Sequence, residues 1–330
     1  MAYAGVDLHK NFCQTIICTR EGELIKEGRI RTEKEDIEEF FSDLEDLEIA
    51  FEASGNYEYF YDLLESLGHK VVLAHPLKTR MIAESRVKTD KVDAKTLAEL
   101  LRGGFLPTSY VPTKEIRELR HLVRHRIALG RFRARVKTQI KTELRRKNIK
   151  YPDGGGIFTG KGKKWLRSLK NTVIDSYLAI YEVLEKEIKE AESRIEKAGK
   201  EYEEVKLLTG IKGIGVYSAL IIFSEIGDGS RFPTEEKAFS YAGLVPRVHQ
   251  SGEESYYGRI TKEGSKYLRW ILVEAARVHV QWCPDSKITK HYNKIKRKRG
   301  ENIAAVAAAR KLLQVIYHML KNNEEFRIEG

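Results

Sequence analysis

Four carboxylates in the first third of the chain, Asp7, Glu52, Asp90 and Asp93, have the type and spacing of a divalent-metal site. Asp7 closes the apolar run Tyr3-Ala4-Gly5-Val6 and Glu52 closes Ile49-Ala50-Phe51, so each stands at the end of an expected strand. Asp90 and Asp93 are three apart at the start of a helix-like stretch, Val92 to Leu101, and share one helical face. Hard oxygen donors on separate elements suit Mg²⁺ or Mn²⁺, which take few carboxylates and leave room for phosphate oxygens. Two such ions about 4 Å apart can clamp the attacking and leaving oxygens of a phosphodiester. Singly, each acid is ordinary, since Asp and Glu favour helix N-termini. The combination points to a site.

A second group lies in Tyr241 to Arg269, a Gly- and Ser-rich stretch expected to form a loop. It holds Ser251, a candidate nucleophile between Gln250 and Gly252, although Ser-Gly is also an everyday turn. His249 is close, but no Ser-His-Asp arrangement is legible. Arg247, Arg259, Lys262, Lys266 and Arg269 could grip phosphates, and Tyr256 and Tyr257 could stack on bases. Ahead of it, Leu208-Thr209-Gly210-Ile211-Lys212-Gly213-Ile214-Gly215-Val216 resembles a helix-hairpin-helix. Its glycine turn would offer backbone N–H groups, with Lys212, to a DNA phosphate. It lacks the Gly-Lys-Ser/Thr ending of a P-loop, so ATP is not implied.

Charge divides sharply along the 330 residues. The net +11 splits into −7 over residues 1–113, +11 over 114–150 and +7 over the rest. An acidic module followed by a dense basic segment is expected where a metal-binding core is coupled to surfaces that hold a polyanion. Candidate phosphate-facing residues on the basic segment are Arg124, Arg131, Arg135, Lys141 and Arg145; the acid-free cluster 287–299 adds Lys296 and Arg297. Cys13, Cys18 and Cys283 form no zinc spacing and are expected as idle thiols in a reducing cytoplasm. No stretch reads as a membrane span or signal peptide.

These residues need elements to hold them. Strands are expected at Tyr3–Leu8, Gln14–Cys18, Leu24–Ile30, Glu48–Phe51 and Lys70–Ala74. A Thr32/Glu35 capping box should open a first helix, and Gly68 should stop a second at about Tyr57–Leu67. Helical signals then run from Pro76 to Arg102. This βββ-α-β-α-β-α order is that of a ribonuclease H-like α/β fold, in which the first and fourth strands are neighbours. Asp7 and Glu52 would then meet at one edge, facing the Asp90/Asp93 helix. Beyond a Gly103–Pro112 break, a basic helix (Thr113 to about Asn148), a glycine-rich loop (151–163) and a coiled-coil-like helix (about Thr172 to Val205) are expected. The remainder reads as mainly helical. The division is 1–112, 113–205 and 206–330.

With the acidic tetrad, the Lys88-Thr89-Asp90-Lys91-Val92-Asp93-Ala94 string and the Ala242-Gly243-Leu244-Val245-Pro246…Gln250-Ser251-Gly252 string together, the chain resembles the DEDD transposases of insertion sequences, the bridge-RNA-guided recombinases. Gly258-Arg259-Ile260-Thr261-Lys262-Glu263-Gly264-Ser265 and Leu268-Arg269 fit the same pattern. The resemblance implies a RuvC-like N-terminal domain, a coiled-coil insert and a C-terminal transposase domain. It implies Asp7, Glu52, Asp90 and Asp93 as ligands of Mg²⁺ (or Mn²⁺), and Ser251 as a nucleophile forming a 5′-phosphoserine intermediate. It also implies donor and target DNA selected by a structured guide RNA, and a dimer or tetramer joined through the coiled coil. Two other functions compete: a metal-dependent, resolvase-like endonuclease that uses water, and a non-catalytic nucleic-acid-binding protein.

Overall fold

The computed structural model describes residues 1–82, 89–152, 154–251 and 254–327, with the backbone alone for 248–251 and 254–257. They form two units, Met1–Pro112 and Thr113–Gly330.

In the first unit, alternation decides the layers. Along β1 (Ala2–Leu8), Ala4, Val6 and Leu8 are buried on one face, while Tyr3, Gly5 and Asp7 look to the other. β1 pairs antiparallel with β2 (Phe12–Cys18), which pairs antiparallel with β3 (Leu24–Arg31). On its other side β1 runs parallel to β4 (Leu47–Glu52), then comes β5 (Lys70–Ala74), also parallel. A two-residue strand, β6 (Thr108–Ser109), closes the edge, giving the order β3-β2-β1-β4-β5-β6. The first five strands have the ribonuclease H-like order expected from the sequence. β6 falls inside the Gly103–Pro112 break, where two paired residues are too few to leave a periodicity.

One sheet face packs on Ile37, Phe40 and Phe41 of α1 (Lys34–Phe41) and on Phe60, Leu63 and Leu64 of α2 (Tyr57–Ser66). The other packs Ala50 and Ala74 on Leu97 and Leu101 of α4 (Asp90–Arg102), which follows α3 (Pro76–Ile82). The expected capping box is absent. Glu33 is the N-cap of α1 and makes no side-chain cap bond, and the Thr32 hydroxyl donates instead to the Lys10 carbonyl at 2.8 Å.

The second unit opens with α5 (Lys114–Arg146), 33 residues long. α7 (Thr172–Gly199) packs antiparallel along it: Val136, Ile140 and Leu144 meet Ile174, Leu178 and Tyr181, and Leu129 meets Ile188 and Ala191. Arg133 donates to Glu185, so acids of α7 neutralise part of the basic helix. The glycine-rich stretch between them is not a loop to residue 163. It becomes α6 at Gly160 (Gly160–Ser168), because the Thr159 hydroxyl caps the Gly162 N–H at 3.3 Å.

α8 (Glu203–Thr209) and α9 (Val216–Ile226) flank the Gly210–Gly215 turn. Gly213 there has φ +100°, and a Cβ on it would lie 2.7 Å from the Ala275 carbonyl oxygen. A close approach thus requires this glycine. α10 (Glu235–Ala242) leads to a hairpin of β7 (Pro246–Ser251) and β8 (Glu254–Ile260), then α11 (Lys266–Trp282) and α12 (Lys287–Arg299). The Tyr241–Arg269 stretch is therefore a hairpin rather than a loop.

α13 (Glu301–Asn322) runs through the core, with Ala304, Ala308, Leu312 and Ile316 fully buried. Its length and apolar composition would suffice to cross a membrane, contrary to the sequence reading, but its apolar face is packed against the other helices of this unit. At the centre Glu225, 1% exposed, accepts hydrogen bonds from Arg124 (2.7 Å) and Tyr241 (2.9 Å). Burial pushes its carboxyl up, but Arg120 and Arg124 outweigh that and hold it below the usual range. Cys13, Cys18 and Cys283 are free and buried.

Candidate metal centre

A single glycine brings the acids together. A Cβ on Gly5 would lie 2.0 Å from the Ala94 carbonyl oxygen and 2.4 Å from the Ala98 nitrogen, so α4 rests directly on β1 only because residue 5 has no side chain. Thr89 caps α4 by accepting from the Val92 N–H at 3.2 Å, which sets Asp90 and Asp93 in its first turn. Asp7, two residues after Gly5 and on the same face, then meets that turn. The parallel register Val6↔Phe51 brings Glu52 to the same end of the neighbouring strand, and strand alternation puts it on the α4 face with Ala50.

The closest grouping differs from the tetrad. Asp7, His9 and Asp90 each offer a ligand atom, and these three atoms lie within 4.8 Å of one another. His9 Nε2 is 3.1 Å from Asp7 Oδ2 and 3.5 Å from Asp90 Oδ1. Asp93 is near enough to act on Asp7 electrostatically, while Glu52 is exposed and stands outside the three-atom group. Burial, helped by the charges of Asp90 and Asp93 and opposed by His9, raises the Asp7 carboxyl above its ordinary value. Crowded negative charge of this kind fits a divalent cation, whose charge would relieve it. His9 does not stand out among the candidates that residue type and spacing suggest. Its only signal in the sequence is its place two residues after Asp7, at the strand end.

Ser251 ends β7 at the hairpin tip, in register with Glu254; its side chain lies outside the described residues. The hairpin root is better defined. Thr261 N–H donates to the Val245 carbonyl (2.9 Å) and Ser265 N–H to that of Tyr241 (2.8 Å). A Cβ on Gly264 would lie 2.1 Å from the Tyr241 oxygen, so the turn at 261–265 interlocks with the end of α10. This interlock is a physical reason for the glycine-bearing strings on both sides.

Among the basic candidates, Arg131, Arg135, Lys141, Arg145, Lys212, Arg247, Arg259, Lys262, Lys266, Lys296 and Arg297 are exposed. Arg124 is engaged by Glu225, and Arg269 donates to the Ala242 carbonyl at 2.9 Å; both have structural work. Arg131 and Lys266 approach the Tyr267 ring, at 5.7 and 5.3 Å from its centroid, so they form one positive patch.

Two family models match this chain. One, for DEDD transposases of the IS110 type and described as "Transposase", covers residues 4–149; the other, described as "Transposase IS116/IS110/IS902 family", covers residues 205–293. The chain belongs to this transposase family. A probable family 20 transposase of Pseudomonas aeruginosa is 27% identical over 98% of the chain and 94% of its own length. The transposase of insertion sequence element IS1111A of Coxiella burnetii is 24% identical over 98% and 90%. The pilin gene-inverting protein of Moraxella bovis is 34% identical over 36% of the chain and 38% of its own length. The candidate metal-site residues, from Asp7 to Asp93, lie wholly within the first matched region of the transposase, and the hairpin lies in the second.

Proposed function

We propose that the transposase cuts and rejoins donor and target DNA through Ser251, assisted by a divalent-metal site built on Asp7, Glu52, Asp90 and Asp93. The observation that carries the reading is the meeting of Asp7 with the first turn of α4, which depends on Gly5. The bound ion, Mg²⁺ or Mn²⁺, supplies charge that orients a phosphate and stabilises the developing leaving oxygen. The Ser251 Oγ attacks phosphorus and gives up its proton; the P–O3′ bond breaks, and the departing 3′ oxygen takes up a proton. A second 3′-hydroxyl then reverses the exchange onto new DNA, regenerating the serine. The gene-inverting relative supports strand exchange over hydrolysis, because inverting a segment requires ends to be rejoined.

On this reading residues 1–112 hold the metal, 113–205 form a coiled-coil insert that joins copies into a dimer or tetramer, and 206–330 carry the serine. The Gly210–Gly215 turn serves as a helix-hairpin-helix-like phosphate contact. A structured guide RNA selects the DNA by base pairing, while exposed Lys and Arg grip backbone. Denaturing gels of the protein with labelled DNA test the chemistry. A protein-bound strand should form and vanish in Ser251→Ala; cleavage that persists in this variant with no adduct identifies a hydrolytic endonuclease. Asp7→Ala should lose cleavage and keep binding. Sequencing RNA that copurifies tests guidance, and finding no discrete species would refute it.

A further inference from the structure

We infer that His9 is itself a ligand of the divalent ion, through Nε2, so that the centre is a mixed nitrogen and oxygen site that favours Mn²⁺ over Mg²⁺. The inference rests on the metal site proposed above and names a donor outside its four carboxylates. Nε2 is the atom that Asp7 and Asp90 share, at 3.1 and 3.5 Å. Two donors about 2.1 Å from one ion and at right angles to each other stand about 3 Å apart, so these separations suit neighbouring positions on a single small cation.

The ring is also held in place. The His9 N–H donates to the Phe12 carbonyl at 2.9 Å, and the His9 carbonyl accepts from Asn56 Nδ2 at 3.3 Å. The imidazole lies 4.5 Å from the Phe12 ring, tilted by 30°. The backbone is thus fixed and the ring rests against Phe12 without any ion, so that Nε2 already faces the two carboxylates. Imidazole raises affinity for Mn²⁺ and later transition metals relative to Mg²⁺, which prefers oxygen and holds its waters. The competing account is that His9 only balances charge between two carboxylates.

Pulsed electron paramagnetic resonance of the full-length protein loaded with Mn²⁺, without nucleic acid, separates the two. We expect ¹⁴N modulation from a directly bound imidazole, lost in His9→Gln while Mn²⁺ still binds. The ratio of Mn²⁺ to Mg²⁺ affinity should also fall in that variant. Bound Mn²⁺ without ¹⁴N modulation, or modulation that survives in His9→Gln, overturns the assignment but leaves the carboxylate site standing. No Mn²⁺ binding sensitive to Asp7→Asn overturns both. Because the first measurement is made on the unaltered protein, a folding defect in the variant does not blunt the test.

Discussion

At the scale of single residues, the candidate metal centre depends as much on an absent side chain as on charged ones. Gly5→Ala drives a methyl group into the backbone of α4, so the helix must move and carry Asp90 and Asp93 away from Asp7. Overpacking of this kind costs about 1–3 kcal/mol. We expect a lower midpoint in urea together with weakened Mn²⁺ binding; a variant that binds Mn²⁺ normally would show the close approach to be dispensable. Asp7→Asn should act oppositely. It keeps the shape but removes one of several crowded charges, so the ion-free protein should be no less stable. It should lose the stabilisation that a saturating ion confers, about 2.7 kcal/mol at a hundred times Kd. Thermal unfolding with and without Mn²⁺ measures both. The positions of Asp7 and Glu52 at strand ends and of Asp90 and Asp93 in a first helical turn were legible from the apolar runs beside them. The role of Gly5 was not, since what it must avoid is a backbone almost ninety residues away.

At the scale of elements, buried charge links helices that the sequence shows only as separate stripes. Glu225→Ala would strand Arg124 and Arg120 beside a buried hole, a loss of roughly 3–5 kcal/mol by the usual behaviour of broken buried pairs. Chemical denaturation of the variant reads it directly. The tip of the α5/α7 pair offers a pH test. Glu143 is bonded to Arg146 and to Asn171, the N-cap of α7, and these bonds hold its carboxyl down at about 2. A depressed carboxylate stabilises the folded state above its unfolded value and loses that contribution as pH falls through the folded one. Protection of amides near Asn171 against hydrogen exchange should therefore decline between about pH 4.5 and 2, and do so less in Glu143→Gln. Long elements were legible from periodicity; α6 and the β7/β8 hairpin were not. Gly160, Gly162 and the Gly/Ser content around residue 251 have the composition of loops, and only a cap or a partner strand makes them regular.

At the scale of the molecule, the uneven charge gives a prediction about partners. Nucleic-acid affinity should fall steeply with salt. Reversing Arg131 and Lys266 together should reduce the salt slope by about one for each phosphate they grip, equally for all sequences. Filter binding over a salt series checks this, and an unchanged slope would remove the Tyr267 patch from the interface. The apolar run of α13 shows the limit of composition at this scale. An Ala- and Leu-rich helix of this length suits the middle of a helical unit as well as a bilayer, and only the neighbours packed on its apolar face distinguish them.

The interlocked root of the hairpin has a mechanical consequence. At roughly 3.4 Å per residue, Ser251 stands about 17 Å along the strand from Pro246. A strand of that length acts as a lever, and a rotation of about 10° at its base sweeps the tip through about 3 Å. For the nucleophile proposed above, misplacement by about 1 Å can cost a hundredfold in rate. The fulcrum is the end of α10, capped by Gly243, together with the turn at 261–265, where Lys262 holds φ at +58° and Gly264 at +88°. Aim, on this view, is set at the handle and spent at the point.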